Sequence, residues 1–270
     1  MNRLVLRLGA ALILLLALAA ALAPLLAPAA PAAQDVMARF APPSLAHPLG
    51  TDNLGRDVLA RILFGLRTLF LVSAVSVGCA LGMGGAIGLT AAWRGGWWDR
   101  GLMRAMDLLF AFPVILLAIG IIALLGPGVL GAAVAIGVVY VPIFARTLRA
   151  PARLLLESEM VAAARAVGAA APRILLRHLL PNLAAVILVQ ASLSLSTAIL
   201  VEASLSFLGL GTQPPTASLG RMLAESRNFL FLSPWPAVFS GAGILLASLG
   251  FNLLGDGLQD LLDPRLQERT

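Results

Sequence analysis

Charged residues are scarce in this sequence. It contains no lysine, and only 12% of its 270 residues are charged, whereas 60% are hydrophobic. Soluble domains carry about a quarter charged residues, so this composition excludes an ordinary soluble protein and indicates a polytopic membrane protein. The net charge of +6 comes from arginine alone. No basic cluster is interleaved with aromatic residues, so we expect contact with anionic membrane lipid and no binding to nucleic acid.

Residues that carry metal, redox or nucleophilic chemistry are also scarce. The single cysteine, Cys79, lies inside an apolar run, which excludes an intrachain disulfide and a cysteine-based metal site. The two histidines, His47 and His178, belong to no metal-binding motif, and no phosphate-binding glycine loop is present. We therefore expect this chain to have no catalytic residue, no metal site and no cofactor of its own.

Long apolar runs dominate the sequence instead. Six of them can cross a membrane as helices, at about 8–27, 66–93, 102–125, 129–148, 182–206 and 235–254. The first is also compatible with a signal peptide, but we interpret it as an uncleaved span because five further spans follow. Pro113 is expected to kink the third span, and Pro142 lies inside the fourth. The predicted fold is all-α with six transmembrane helices.

Three parts of the chain follow from these spans. Residues 1–65 are predicted to hold the first span, an extracytoplasmic Pro/Ala-rich loop and an interfacial helix from Asp57, with Arg61 near its polar face. Residues 66–256 hold spans two to six, and residues 257–270 form a polar cytoplasmic tail. The second span is rich in glycine and alanine, which lets another helix approach closely.

The arginines near the span ends predict the orientation, because cytoplasmic loops carry an excess of basic residues. An even number of spans puts both termini on one side. With the termini inside, thirteen arginines lie at the inner ends of the spans and six at the outer ends. We therefore predict a multi-pass protein of the cytoplasmic membrane with both termini, and the loop 149–181, in the cytoplasm.

This polar loop has a structure of its own. Apolar residues recur in it at the spacing of one helical face, namely Met160, Ala163, Ala164 and Val167. Gly168 follows at the position of a helix C′ residue, and Pro172 and Pro181 are each expected to begin a further helix. Residues 172–181 suit an amphipathic helix at the membrane interface. The alanine-surfaced segment before them buries too little area for lipid anchoring and suits a groove on a protein partner better.

The fifth span is the most polar of the six. Gln190, Ser194 and Thr197 share one helical face, which fits either a water-accessible path for a polar solute or close helix packing, and the sequence leaves both open. Glu202 lies at the outer end of this span. We expect it to have a buried partner, the alternative being an exposed position at the membrane interface.

Other acidic residues have local interpretations. Asp107 lies about one turn from Arg104 in the third span, so an ion pair within that helix is expected. Asp256, Asp260 and Asp263 are expected to cap and solvate a short cytoplasmic helix, with a docking role as the alternative.

The loop resembles the EAA signature of the inner-membrane subunits of binding-protein-dependent ABC importers. In that signature Glu-Ala-Ala is followed after three residues by Gly, and after nine more by Ile-x-Leu-Pro. The matching residues are Ala163, Ala164, Gly168, Leu180 and Pro181. Ala162 stands where the signature has Glu, and His178 stands at its Ile position.

Three further blocks resemble the second permease of dipeptide, oligopeptide and nickel importers. They are HPLGTDNLGRDVLARILFGLRT at 47–68, EASLSFLGLGTQPP at 202–215 and FNLLGDGLQDLLDPRL at 251–266. The resemblance implies a type I ABC importer permease that pairs with a similar permease and takes up di- or oligopeptides or nickel and metal chelates. It also implies two ATPase subunits that bind ATP and Mg, and an extracytoplasmic substrate-binding protein.

The resemblance also assigns roles to residues. A coupling helix would insert into a groove of one ATPase through Met160, Ala162, Ala163, Ala164, Arg165, Val167 and Gly168. The translocation path would involve Gln190, Ser194, Thr197 and Glu202. The competing interpretation, an ion-coupled secondary transporter, requires titratable residues at mid-membrane. Only Asp107 and Glu202 come near, and both lie toward span ends.

Overall fold

The computed structural model describes residues 2–262, which fold almost entirely into helices. Their bounds are α1 Asn2–Ala21, α2 Ala23–Leu26, α3 Val58–Arg94, α4 Gly96–Phe110, α5 Val114–Leu125, α6 Val129–Leu156, α7 Glu159–Ala166, α8 Ala171–Ile174, α9 Leu180–Phe207, α10 Leu219–Ser226 and α11 Trp235–Leu262. Among the described residues, five helices are long and apolar enough to cross a membrane, and the bent pair α4–α5 can supply a sixth crossing. The predicted all-α membrane fold is confirmed, with five or six crossings among these residues.

The predicted interfacial helix and second span form one uninterrupted helix, α3. Asp57 caps its first turn, because the side-chain Oδ1 accepts the Ala60 N–H at 2.8 Å. At 37 residues, α3 is about 55 Å long and exceeds the hydrocarbon thickness of a bilayer. The residues predicted to lie along the membrane surface are therefore the first turns of a long span.

Glycines on α3 let it cross α6 with the two backbones nearly touching. A Cβ added at Gly84 would lie 2.4 Å from the Val141 carbonyl oxygen, and one added at Gly88 would lie 2.4 Å from that of Ala145. The prediction of a close helix approach is confirmed, and α6 is the partner. Gly82, on the opposite face of α3, has no atom of another element within 4 Å of its Cβ position.

The first and last helices pack antiparallel. A Cβ at Gly9 would meet the backbone of α11 near Leu254, and one at Gly257 would meet Leu6. Residues 2 and 262 therefore lie at the same end of the bundle, which also carries α7. We call this end the loop end, defined by residues 149–179. The opposite, cap end is formed by residues 47–57 and 208–234. Because the two chain ends lie at the same end of the bundle, the number of crossings is even. The side of the membrane that each end of the bundle faces stays a prediction.

The third span is broken where a kink was predicted. α4 and α5 meet at 92° across residues 111–113, with Pro113 at the N-cap of α5. The expected pair of Asp107 with Arg104 is wrong, because Asp107 bonds Arg146 of α6 instead. Asp99, eight residues earlier in α4, bonds Arg149, only one turn from Arg146 in α6. These two ion pairs show that α4 crosses α6 obliquely.

Two predicted helix boundaries differ in the structure. Pro181 lies in the first turn of α9, as predicted, but a π-helical turn at Leu175–Leu179 joins α9 to α8, so the chain is helical without a break from Ala171 to Phe207. Such a turn shifts the hydrogen-bond register and lets the helix pass a residue without an N–H. The short helix expected around Asp256 and Asp260 is the end of α11. Asp263 lies outside the described residues.

Candidate functional site

The helix α7 is seated on the protein by one narrow face. Val161 is fully buried and Ala164 nearly so. They pack in a cluster with residues of α3, α6, α8, the π-helical turn and α9, namely Leu89, Ala152, Ile174, Leu179 and Leu183. The inner face of α7 therefore shares one buried cluster with three membrane-crossing helices.

The other face of α7 is apolar and exposed. Met160, Ala163 and Val167 lie at its surface, and Val167 is 85% exposed. The sequence grouped these residues with Ala164 on one face, but Ala164 points inward beside Val161. Ala162 is exposed as well. Within the described chain this face is covered by nothing, so it is available to a partner.

Gly168 ends α7 as the sequence predicted. Its φ is +79°, in the left-handed region that disfavours residues with a Cβ. The Gly168 N–H donates to the Arg165 carbonyl and the Ala169 N–H donates to the Ala164 carbonyl, both at 3.0 Å. This is the pair of bonds of a Schellman motif, which stops the helix sharply and turns the chain toward α8.

A second link joins α7 to α3. The Arg165 guanidinium lies over the Trp93 ring, 5.4 Å from its centroid, in a cation–π contact. Trp93 is in the last turn of α3. The side chain predicted to face a partner therefore also fixes α7 to the end of the longest span. Nothing in the sequence between residues 93 and 165 signals this contact.

The polar residues of α9 have different surroundings. Gln190 accepts a hydrogen bond from the Thr147 hydroxyl of α6 at 3.3 Å and donates to Ser194 at 3.1 Å. Ser194 is buried, whereas Thr197 is exposed and bonds to carbonyls of its own helix. A cavity of about 390 Å³ beside Gln190 extends to Gln259 of α11. Gln190 thus joins α9 to α6 beside this cavity, and the role of the three residues in a translocation path stays a prediction.

Glu202 has the buried partners that the sequence led us to expect. The residue is 1% exposed, and its Oε1 accepts from the Ser206 hydroxyl at 2.7 Å and the Thr212 hydroxyl at 3.4 Å. The Ser206 Oγ in turn accepts the Thr212 N–H at 3.1 Å. No partner for Oε2 is found among the described residues. Glu202 therefore stabilises the turn that follows α9 through these hydrogen bonds.

A buried ion network holds the cap end together. Asp52 accepts hydrogen bonds from Arg56 and Arg61, and Glu225 of α10 accepts from the same two arginines. Arg61 is only 5% exposed, so its predicted position near a polar face is wrong. Asp52 also accepts the backbone N–H groups of Leu54 and Arg56. The sequence does place acidic residues and arginines close together in this turn-rich segment, which could have indicated local ion pairs. It gives no indication of the distant partner Glu225.

The stability of the cap end is expected to depend on pH through Glu225. Burial raises the pKa of Glu225, but the charges of Arg61 and Arg56 and a hydrogen bond from Arg221 outweigh it, so this pKa lies below its ordinary value. A carboxyl whose pKa is lower in the folded state than in the unfolded state stabilises the fold at pH values above its unfolded-state pKa, about 4.3 for Glu. That stability is lost as the pH falls through the folded-state pKa. The melting temperature in detergent should therefore fall with acidification, and less steeply for Glu225→Gln. Identical slopes for the two proteins would contradict this role.

Comparison with known proteins identifies the family. Residues 84–268 match the family described as binding-protein-dependent transport system inner membrane component. The chain belongs to this family. The permease is 46% identical to a putative peptide transport system permease protein of Brucella suis over 268 residues, 99% of this chain and 90% of that protein.

Two other relatives are similar over shorter lengths. The dipeptide transport system permease protein DppC of Alkalihalophilus pseudofirmus is 45% identical over 229 residues, 85% of this chain and 75% of that protein. The glutathione transport system permease protein GsiD of Escherichia coli is 44% identical over 227 residues, 83% of this chain and 74% of that protein. The permease is thus an inner-membrane subunit of an ATP-driven importer, whose ATPase activity is carried by partner subunits and which works with a substrate-binding protein.

Proposed function

We propose that this permease pairs with a second, similar permease to import peptides, and that α7 couples the pathway to ATP hydrolysis. The names of its relatives concern dipeptides, peptides and glutathione, which share a peptide backbone. In this proposal the loop end faces the cytoplasm, where two ATPase subunits bind ATP and Mg. Gln190 and the cavity beside it belong to the path of the peptide.

The observation that carries the coupling role is the division of α7 into two faces. Val161 is fully buried against the spans, while Val167, at the C-terminal end of the helix, is 85% exposed. A short helix of this kind, with an alanine-rich outer surface, can enter a protein groove closely. Closure of the ATPases around that groove would move α7 as a rigid body, since its Schellman turn and its seat leave it little freedom. The push would reach α3 through Trp93 and α9 through Leu183.

A charge on the outer face of α7 tests this role. In liposomes containing the full importer, Val167→Glu is expected to lower ATP-driven uptake of a labelled dipeptide at least about tenfold, because a carboxylate would be buried unpaired in an apolar groove. Membrane insertion and co-purification with the second permease should be unchanged, because Val167 makes no buried contact within the chain.

The matched control adds the same charge to a neighbouring exposed position of α7. Ala162→Glu restores the residue of the EAA signature and is expected to keep or strengthen uptake. Full uptake by Val167→Glu, or a dead transporter from Ala162→Glu, would show that the partner does not bind this face in the proposed register. Nickel ions added in place of the dipeptide test the substrate class, and ATP-driven nickel accumulation would contradict a peptide importer.

A further inference from the structure

A cavity at the loop end is not used by the coupling or the pathway. It has a volume of about 530 Å³ and lies between α4 and the end of α6. Its lining combines arginines with acidic and apolar side chains, among them Trp97, Asp99, Arg100, Met103, Arg104 and Arg149. The arrangement of charges in this lining indicates what can bind there.

Both carboxylates of the lining already have cationic partners. Arg149 donates two hydrogen bonds to the two oxygens of Asp99, and Arg146 donates one to Asp107. Arg104 is left without a partner in the described part of the chain, because Arg146 has taken the carboxylate beside it. Arg100 bonds only its own helix, through Nε–H to the Gly96 carbonyl at 3.3 Å.

Two guanidinium groups therefore face this cavity without a counter-ion among residues 2–262. Arg100 and Arg104 are four residues apart on α4, a spacing that brings like charges together and destabilises them by repulsion. A bound anion would remove that repulsion. Arginine forks match the geometry of phosphate oxygens and bind them with two parallel hydrogen bonds.

The position of the cavity indicates that the phosphate would come from a lipid headgroup. α4 crosses α6 obliquely and is bent 92° from α5, so it does not run along the bundle like the long spans. Trp97 and Trp98 on its first turn are exposed, and Arg94 stacks over the Trp98 ring at 4.6 Å. Tryptophan and arginine together on an oblique amphipathic helix are typical of the level of lipid headgroups.

We propose that this cavity binds the headgroup phosphate of an anionic phospholipid, held by the Arg100 and Arg104 guanidinium groups. Trp97 and Met103 would contact the apolar part of the same lipid. The lipid would lie on α4 beside Arg149 of α6, where the coupling loop begins. The inference concerns lipid dependence and does not depend on which solute the permease moves.

Native mass spectrometry of the assembled importer in detergent tests the site, with phosphatidylglycerol or phosphatidylcholine added. Arg100→Gln/Arg104→Gln is expected to weaken phosphatidylglycerol binding at least about tenfold, the loss of about one charge-assisted bond pair. Phosphatidylcholine binding should be weak and equal in both proteins. The control Arg7→Gln/Arg173→Gln removes the same charge from exposed positions at the same end, outside the cavity, and should change binding less than about twofold.

Three results would overturn the proposal. The first is equal phosphatidylglycerol binding by the cavity variant and the control variant. The second is full displacement of the lipid by inorganic phosphate at millimolar concentration, which would indicate a site for a free anion. The third is a crosslink from Arg104→Cys to the second permease or to an ATPase in the assembled importer, which would show that protein covers the cavity.

Discussion

Replacing Asp52 with alanine is expected to lower the free energy of unfolding of the permease by about 3–5 kcal/mol, the usual cost of removing one partner from a buried ion network. Asp52 is buried and accepts hydrogen bonds from two arginines and two backbone N–H groups. Without it, the buried Arg61 keeps only Glu225 as a counter-ion. Thermal or denaturant unfolding in detergent, followed by intrinsic tryptophan fluorescence, measures the loss.

Asp52→Asn is the matched control for this change. Asparagine keeps a side-chain oxygen that can accept the Leu54 and Arg56 N–H groups but carries no charge. Its cost should therefore be smaller than that of alanine, and the difference between the two variants reports the turn rather than the ion pairs. Equal stability of Asp52→Ala and the unmodified permease would show that the network contributes nothing.

The second large effect is expected from Gly84→Leu. The first atom of any side chain at this position would lie 2.4 Å from the Val141 carbonyl oxygen and 2.9 Å from the Phe144 Cβ. A backbone oxygen cannot move aside cheaply, so α3 and α6 must separate. We expect a loss of about 3 kcal/mol or more, at the upper end of the costs of overpacking. The amount of monodisperse protein after detergent extraction and its melting temperature both report this loss.

Gly82→Leu makes the same chemical change two residues away. A Cβ at Gly82 meets no atom of another element within 4 Å, and leucine favours helix over glycine by about 1 kcal/mol. This variant should be as stable as the unmodified chain or slightly more so when the chain is purified alone. If it destabilises the chain as much as Gly84→Leu, then bulk on α3 is harmful in general and the crossing with α6 is not the cause.

Features set by a single segment were predictable from the sequence. The number of apolar runs depends only on local composition, and the runs became the observed spans. Gly168 was predicted to end α7 because only glycine takes the left-handed conformation without strain, and this holds whatever α7 packs against. Pro113 breaks its span for an equally local reason. The glycine-rich second span predicted a close neighbour but not which helix that would be.

Features set by the choice of neighbours were not predictable. Asp107 had Arg104 within reach on its own helix, yet the oblique crossing of α4 and α6 brings Arg146 closer. Arg61 was predicted to lie near the polar face of an amphipathic helix. In the structure it is buried beside Glu225, which is far away along the chain. The orientation of α7 depends on Val161, which was not among the residues predicted to share one face. It is buried because its cluster lies between three membrane-crossing helices.

The helix α3 is long enough to connect the cap end of the bundle to the loop end. Near its start Arg61 is tied to the cap end, and in its last turn Trp93 lies under Arg165 of α7. Between them the crossing with α6 at Gly84 and Gly88 is too tight to slide freely. The contact of the two helices is long, because it runs from Ser76 against Ala133 to Gly88 against Ala145. We therefore expect α3 and α6 to move together as one stiff unit, which would carry a force on α7 to the cap end without any flexible joint.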